Sequence, residues 1–269
     1  MQVITSRANL AVKRIRALQT RKQRVATNQF FVEGIRIVGE AVDTKGSIET
    51  LVVAPDLLTS EYGHELVRRA QENGIAVLAV SADVFRGLSD KEGPQGLGAV
   101  VQQQWSTLEQ CDPRAGLCWI ALEQVADPGN LGTIVRTADA VGAAGVILLG
   151  PSADPYDPGA LRAGMGAVFS QRLVRASWEG LIAWVREHGS SMVGTSDAAA
   201  LDYREAAYRR PLVLLMGSER EGLSAEQQAA CDDLVRIPMV GRSDSLNLAV
   251  AAGVLTYEVF DRHYPVQRT

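Results

Sequence analysis

The stretch PLVLLMGSEREG at residues 211–222 joins a wholly apolar run to a polar turn that contains two glycines. An uninterrupted apolar run of this length is typical of a strand that is covered on both faces of its sheet. Ligands of such sheets bind at the loops beyond the carboxyl ends of the strands. We therefore interpret residues 211–216 as a buried strand and expect functional side chains in the turn, where Glu219 is the first charged residue.

The same alternation of apolar runs and helical segments recurs on both sides of this stretch. Further strand candidates lie at residues 117–122, 145–149, 192–195 and 234–239, and helix candidates lie at 131–141, 159–169, 178–188, 224–231 and 246 to about 263. Strands that alternate with helices indicate an α/β domain with a mostly parallel sheet. We assign this domain to residues 117–269.

A second, smaller alternation occupies the first hundred residues. It begins with a basic helix at 8–28 and continues with apolar runs at 30–32, 48–54, 75–80 and 97–101, separated by a helix that ends near Val42 and another at 62–72. This pattern predicts a small α/β domain over residues 1–102. The polar segment 103–116, which contains Asp112-Pro113, is interpreted as a linker.

The net charge of −4 does not indicate binding to nucleic acid, but the charges are unevenly distributed. Residues 1–36 carry eight basic side chains and one acid. Such a stretch is typical of a surface that contacts phosphates, although a solvated helix face has the same composition. The candidates for phosphate contacts are Lys13, Arg14, Arg21, Lys22 and Arg24.

Several classes of protein are disfavoured by composition. The three cysteines include no Cys-x-x-Cys pair and the three histidines are scattered, so we expect neither a disulfide framework nor a metal site. No apolar run reaches the ~18 residues of a membrane span, and the first residues lack an apolar signal core. The cytoplasm is the expected compartment.

A polar loop at residues 127–137 follows the first strand of the larger domain. Asn130 stands at the predicted entrance of a helix, beside backbone N–H groups that favour an anion. Arg136 lies on the face of that helix opposite its apolar stripe. The alternative interpretation is an N-cap asparagine and an ordinary surface arginine.

A third polar loop lies at residues 237–247, after the strand that Pro238 ends. Ser245 is the predicted N-cap of the final helix. Asn247 is the one polar residue between Leu246 and Leu255, and a buried amide needs hydrogen-bond partners. It either satisfies the backbone of its own loop or holds a neighbouring loop or a substrate group.

Together these loops resemble those of the SpoU (TrmH-like) ribose methyltransferases of the SPOUT superfamily. The resemblance rests on the residues N-x-G…RT at 130–137, GSExxG at 217–222 and IPM…SLNxAVA at 237–251, which stand in the family's order. The loop at 194–198 is similar to another loop of the family. Segments 9–24, 31–34 and 88–96 are similar to its N-terminal substrate-binding domain.

The resemblance implies a trefoil knot in the C-terminal domain, a homodimer, and methyl transfer from S-adenosylmethionine to a ribose 2′-hydroxyl of structured RNA. It favours large-subunit ribosomal RNA over transfer RNA. It assigns catalysis to Asn130, Arg136, Glu219, Ser245 and Asn247. It assigns the cofactor to Thr195, Leu215, Gly217, Ile237, Met239 and Leu246. Because a guanidinium stays protonated in proteins, we interpret Arg136 as an electrostatic clamp rather than a base.

Three other functions compete with this interpretation. A non-catalytic ribosome-binding protein would not need Asn130, Arg136 and Glu219. A dinucleotide-binding oxidoreductase is disfavoured because Gly164-Met165-Gly166 lacks the third glycine of the fingerprint. A base-nitrogen methyltransferase of another SPOUT branch is disfavoured by the Ser-Leu-Asn loop at 245–247.

Overall fold

The computed structural model describes residues 2–44, 46–243 and 245–264. The chain divides into two compact units. The first comprises Met1–Gln104 with Asp154–Ser170, and the second comprises Trp105–Ala153 with Gln171–Thr269. None of the helices in the described ranges combines the length and apolar character that a membrane span requires.

The helices of the described residues are, in chain order, α1 (Leu10–Ala17), α2 (Arg21–Thr27), α3 (Ile35–Asp43), α4 (Glu61–Glu72), α5 (Ala82–Arg86), α6 (Pro128–Ala140), α7 (Pro158–Gly164), α8 (Trp178–His188), α9 (Ala225–Ala230) and α10 (Leu248–His263). Two short 3₁₀ turns lie at Leu108–Gln110 and Ala167–Phe169.

The strands are β1 (Gln29–Glu33), β2 (Ile48–Val53), β3 (Ala76–Ala79), β4 (Leu97–Gln102), β5 (Trp119–Glu123), β6 (Gly145–Leu149), β7 (Arg172–Ala176), β8 (Ser191–Thr195), β9 (Leu201–Asp202), β10 (Leu212–Met216) and β11 (Asp233–Arg236).

The first unit is built on a mixed sheet with the strand order β1-β4-β2-β3. Strand β4 runs antiparallel to β1 and β2, whereas β2 and β3 are parallel. Helix α1 buries Val12 and Ile15, and Leu18 directly after it joins the same cluster, which includes Val52 and Phe85. The predicted small α/β fold is confirmed for this unit.

The predicted single basic helix is two helices, because the chain breaks at residues 18–20. Thr20 caps α2 by accepting a hydrogen bond from the N–H of Gln23 at 3.4 Å. The Arg24 guanidinium donates to the carbonyl oxygens of Leu18 and Gln19, at 3.0 and 2.8 Å. Carbonyls at the end of α1 that lack helical partners are thereby satisfied.

Arg24 is buried, with 1% of its surface exposed. Its Nε donates to Asp154 at 2.8 Å and its Nη2 donates to Asp157 at 3.1 Å. Arg24 therefore differs from the other four predicted phosphate contacts, which are exposed. Its donors are occupied inside the protein, and this structure does not support its predicted contact with RNA.

The same contacts explain why residues 154–170 belong to the first unit, whereas the sequence analysis assigned them to the C-terminal domain. The ring of Tyr156 lies 4.5 Å from that of Phe30, and its hydroxyl donates to the carbonyl of Gln104 at 2.6 Å. The helix predicted at 159–169 ends at Gly164, because Met165 and Gly166 adopt positive φ angles of 51° and 100°. The remainder is α7 and the following 3₁₀ turn.

The second unit contains a seven-stranded sheet with the order β7-β6-β5-β10-β8-β11-β9. Every neighbouring pair is parallel. Strands β6 and β10 are buried along their whole length, as an interior parallel strand requires. The carboxyl ends of β5, β10, β8 and β11 therefore lie side by side at one edge.

Much of the segment interpreted as a linker packs within the second unit. Leu108 and Cys111 belong to its hydrophobic core, with 8% and 6% of their surfaces exposed. Ser106 forms a parallel bridge with Val174 of β7. The apolar residues at 108 and 111 anchor this polar stretch.

Candidate active site

Asn130 is the third residue of α6 rather than its cap. The cap is Asp127, whose Oδ1 accepts from the N–H of Asn130 at 2.7 Å. Pro128 occupies the first helical position, where its missing N–H costs nothing. The side chain of Asn130 therefore does not cap the helix and can contact other residues. The sequence Asp127-Pro128 indicated that the helix begins at residue 128 rather than at residue 131.

Three side chains from three separate segments of the chain form a continuous chain of hydrogen bonds. The Nδ2 of Asn130 donates to Oε1 of Glu219. The Nδ2 of Asn247 donates to Oδ1 of Asn130 at 2.9 Å. These residues stand 89 and 117 positions apart from Asn130 in sequence. The structure thus brings together three of the five predicted catalytic residues.

The direction of each amide in this chain follows from its neighbours. Carboxylate oxygens only accept, so Asn130 must turn its NH₂ toward Glu219 and its carbonyl toward Asn247. Asn247 must then present its NH₂ to Asn130 and its oxygen to the N–H groups of Ala249 and Val250, at 2.9 and 3.3 Å. One orientation satisfies every group, so the network is preorganised.

Asn247, and not Ser245, caps the final helix α10. The prediction for Ser245 as the cap is therefore wrong by two residues. An asparagine is as good an N-cap as a serine, so the sequence alone did not distinguish them. Ser245 is exposed, and the described residues give it no hydrogen bond. Asn247 combines both predicted roles: its oxygen accepts from backbone N–H groups of its own helix, and its NH₂ donates to Asn130.

The loop that carries Glu219 is closed by two backbone hydrogen bonds between Ser218 and Gly222, at 3.0 and 3.1 Å. A Cβ atom at Gly217 would stand 2.5 Å from the carbonyl carbon of Gly222. The glycine is therefore required by the tightness of this turn.

A buried glutamine braces the same loop and was not found by the sequence analysis. Gln227 of α9 donates from Nε2 to Oε2 of Glu123 at 2.7 Å, and its Oε1 accepts from the N–H of Ser224 at 2.9 Å. Glu123 ends β5, the strand before α6. The capping-box pattern of Ser224 and Gln227 was the available signal.

Arg136 lies on α6 and its side chain is exposed. It lies six positions after Asn130, which corresponds to about 9 Å along a helix axis. No hydrogen bond or ion pair of this guanidinium occurs among the described residues. Its five donors are available to a ligand.

The predicted cofactor residues follow three adjacent strands. Thr195 ends β8, Gly217 follows β10 and Ile237 follows β11. The N–H of Gly217 donates to Oγ1 of Thr195 at 3.4 Å. Met239 and Leu246 add apolar surface, with 38% and 39% exposed.

Leu215 does not reach this edge. It lies inside β10, paired with neighbours on both sides, and its side chain is buried in the core. Its predicted contact with the cofactor is not supported, because a residue within the strand presents neither a free backbone group nor an exposed side chain. Among the described residues, no group of three or more histidine, cysteine or acidic side chains is placed to hold a metal ion.

The sequence profile of the SpoU rRNA Methylase family matches residues 118–257, and that of the MRM3-like substrate binding domain matches residues 9–99. The first match spans all three loops of the site and slightly more than half of the chain. The chain belongs to the SpoU rRNA methylase family. The expected family is thereby confirmed.

Two relatives are similar to this chain over most of its length. The 23S rRNA (uridine(2479)-2′-O)-methyltransferase of Streptomyces viridochromogenes is 34% identical over 248 residues, which cover 90% of this chain and 85% of the relative. The 23S rRNA (guanosine(2553)-2′-O)-methyltransferase RlmP of Bacillus subtilis (strain 168) is 30% identical, covering 96% of this chain and 99% of the relative.

A solved structure has the same fold over nearly the whole chain. It is the AdoMet-bound rRNA methyltransferase from Sinorhizobium meliloti, with a TM-score of 0.89 and 40% identity over 98% of this chain and 99% of that one. The chain therefore shares its mixed α/β architecture with the Sinorhizobium meliloti protein.

Proposed function

We propose that the protein transfers a methyl group from S-adenosylmethionine to the ribose 2′-hydroxyl of one nucleotide in large-subunit ribosomal RNA, in the cytoplasm. The observation that carries this proposal is the hydrogen-bonded chain from Asn247 through Asn130 to Glu219 at the carboxyl edge of the sheet. The named 23S rRNA relatives support ribosomal RNA over transfer RNA as the substrate.

The chemistry of the sheet edge fits the proposed cofactor. An adenosine needs apolar contact and backbone hydrogen bonds, and Met239, Val240 and Leu246 are exposed apolar residues beside the strand ends. Thr195, Gly217 and Ile237 would supply the backbone groups. When bound, S-adenosylmethionine supplies an electrophilic methyl group on a sulfonium.

The protein's own side chains would position the acceptor. Oε1 of Glu219 accepts a hydrogen bond from Asn130, and its Oε2 has no partner among the described residues. Oε2 is therefore free to accept a hydrogen bond from the 2′-hydroxyl and to take its proton as the methyl group is transferred. The Arg136 fork would hold a phosphate or stabilise the developing alkoxide. Catalysis then rests on orientation and electrostatics rather than on a basic arginine.

The first unit would supply most of the affinity for RNA. Lys13, Arg14, Arg21 and Lys22 are exposed on α1, α2 and their flanks. Contacts of this kind weaken steeply as salt rises. Because Arg24 needs Asp154 and Asp157, the full chain rather than a fragment of residues 1–102 should be used to measure this salt dependence.

An apolar stripe on α10 supports a homodimer. Val250, Tyr257 and Tyr264 are 53%, 50% and 53% exposed on or beside one helix, and solvent-exposed apolar patches mark interaction surfaces. We expect a dimer in sedimentation equilibrium and a monomer after Tyr257→Glu. The trefoil knot that the family resemblance implies is part of the same proposal.

The test is transfer of a labelled methyl group from S-adenosylmethionine to ribosomal RNA from cells that lack this protein. We expect label in 23S RNA at one nucleotide whose 2′-O-methylation blocks alkaline cleavage. Label only in transfer RNA, or at a base nitrogen, would refute the proposed acceptor. Absence of label with every RNA would refute the activity.

A further inference from the structure

A pocket that belongs wholly to the first unit combines buried and half-buried apolar side chains with half-buried and exposed charged ones. It is a shallow recess that opens to solvent. Its apolar lining includes Phe31, Leu88 and Leu161, and its charged lining consists of Glu33, Asp90 and Arg162. Apolar walls with a few polar groups are the usual composition of a ligand site.

The two carboxylates are held in place and keep unused acceptors. Oε1 of Glu33 accepts from the N–H of Asp90 at 3.0 Å. Oδ1 of Asp90 accepts from Nε2 of Gln19 at 3.3 Å. The second oxygen of each carboxylate has no partner among the described residues. The pocket therefore presents oriented acceptors to whatever enters it.

Arg162 supplies the opposite charge without neutralising these acids. It lies in the last turn of α7 and is exposed. No hydrogen bond or ion pair of its guanidinium occurs in the part of the chain that the structure describes. One pocket thus holds a free bidentate donor and free carboxylate oxygens.

We propose that this pocket takes one unstacked guanine of the RNA, an inference that rests on the proposed action on RNA. A carboxylate such as Glu33 accepts from the N1–H and 2-amino groups of guanine. A guanidinium such as Arg162 donates to O6 and N7, the commonest specific contact of arginine with a base. Phe31 provides an aromatic surface for the base.

The complementarity distinguishes guanine from the other purine. Adenine carries a donor beside an acceptor on its pairing edge, so a carboxylate there would face a lone pair. The pocket therefore adds sequence information to the phosphate contacts of Lys13 and Arg14, which carry none. It selects which segment of a structured RNA the first unit holds.

The test is fluorescence anisotropy of the full-length protein with the labelled RNA pentamers U-U-G-U-U and U-U-A-U-U. Saturating S-adenosylhomocysteine keeps purines out of the proposed cofactor region. We expect the guanine pentamer to bind at least about fivefold tighter. Glu33→Gln replaces an acceptor with a donor at constant size and should abolish the preference, and Arg162→Ala should reduce it.

Arg86→Ala is the matched control, since Arg86 is an exposed arginine of the first unit outside the pocket. It should weaken both pentamers equally and keep the preference. Equal affinities in the wild type, or a preference that survives Glu33→Gln, would overturn the pocket. The measurement needs no methyl transfer, so a protein that methylates ribosomal RNA without a guanine preference refutes the pocket and leaves the function intact.

Discussion

Two arginines on amphipathic helices, Arg24 in the first unit and Arg136 in the second, have opposite environments. Arg24 is 1% exposed and uses its guanidinium on two carboxylates and two carbonyls. Arg136 is exposed and, among the described residues, uses none of its donors. The comparison shows that unused donors, rather than the presence of an arginine, mark a site that awaits a ligand.

The difference follows from what each guanidinium costs the fold. A buried cation must be fully paired, since removing one partner leaves an uncompensated charge in a medium of low dielectric constant. An exposed cation remains hydrated and contributes little to stability. Arg24 should therefore control the stability of the protein, and Arg136 its activity.

The largest effect should come from Arg24→Met. It leaves the carboxylate of Asp154, which is 3% exposed, without its guanidinium partner. The free energy of unfolding should fall by about 3–5 kcal/mol. Urea unfolding followed by circular dichroism measures the change. Arg14→Met removes an exposed cation from α1 and should stay within about 0.5 kcal/mol of the wild type. Equal effects of the two substitutions would erase the distinction between the arginines.

Arg136→Ala should have the opposite effect, lowering activity and leaving stability nearly unchanged. We expect unfolding within about 0.5 kcal/mol of the wild type and methyl transfer lowered by about 100-fold or more, as for removal of an oriented transition-state donor. Arg136→Lys keeps the charge and loses the fork, so it should also be slow. Near-normal turnover of the lysine variant, measured as initial rates on 23S RNA, would contradict the clamp.

Asn247 combines the two roles that Arg24 and Arg136 divide, because it caps α10 and also holds Asn130 in the site. Asn247→Ala should cost about 1 kcal/mol through the lost N-cap. Asn247→Asp keeps the cap but faces the carbonyl of Asn130 with an acceptor, so Asn130 can no longer satisfy both neighbours. The aspartate variant should therefore unfold like the wild type and transfer methyl groups slowly. If it is as active as the wild type, the amide chain does not orient the site.

The smallest effect concerns the thiols, which all lie in the second unit. Burial raises the pKa of Cys118 and of Cys231 to about 12, and burial also raises the pKa of Cys111. At pH 9 roughly one thiol in a thousand with such a pKa is a thiolate, so iodoacetamide should label the native protein slowly and faster as pH rises toward 12. Arg24→Met should leave the native labelling rate unchanged. Faster labelling would mean that the loss of Arg24 also opens the second unit.

Much of the fold could be predicted from local pattern. The buried runs at β6 and β10 lie where the sequence predicts them, because full burial on both faces of a sheet imposes an unbroken apolar run. Helix α8 also lies at its predicted position. Strand β7 was missed because Arg172 and Arg175 interrupt its apolar residues. Strand β9 has two residues and gives no pattern at all.

The candidate site was predicted as a set of residue types and not as a geometry. Asn130, Glu219 and Asn247 could be named, but their hydrogen bonds join loops far apart in sequence. The buried pairing of Arg24 with Asp154 spans 130 residues and is likewise invisible to local pattern. Composition therefore counted Arg24 with its exposed neighbours.

The most direct test of the account is a double-mutant cycle between Asn130 and Asn247, read as the initial rate of methyl transfer to 23S RNA. If the three loops act as one site, each single alanine substitution removes most of the shared orientation. The double variant should then be little slower than Asn130→Ala alone. Strictly multiplicative losses, or a wild-type protein that transfers no methyl group to RNA, would contradict the account.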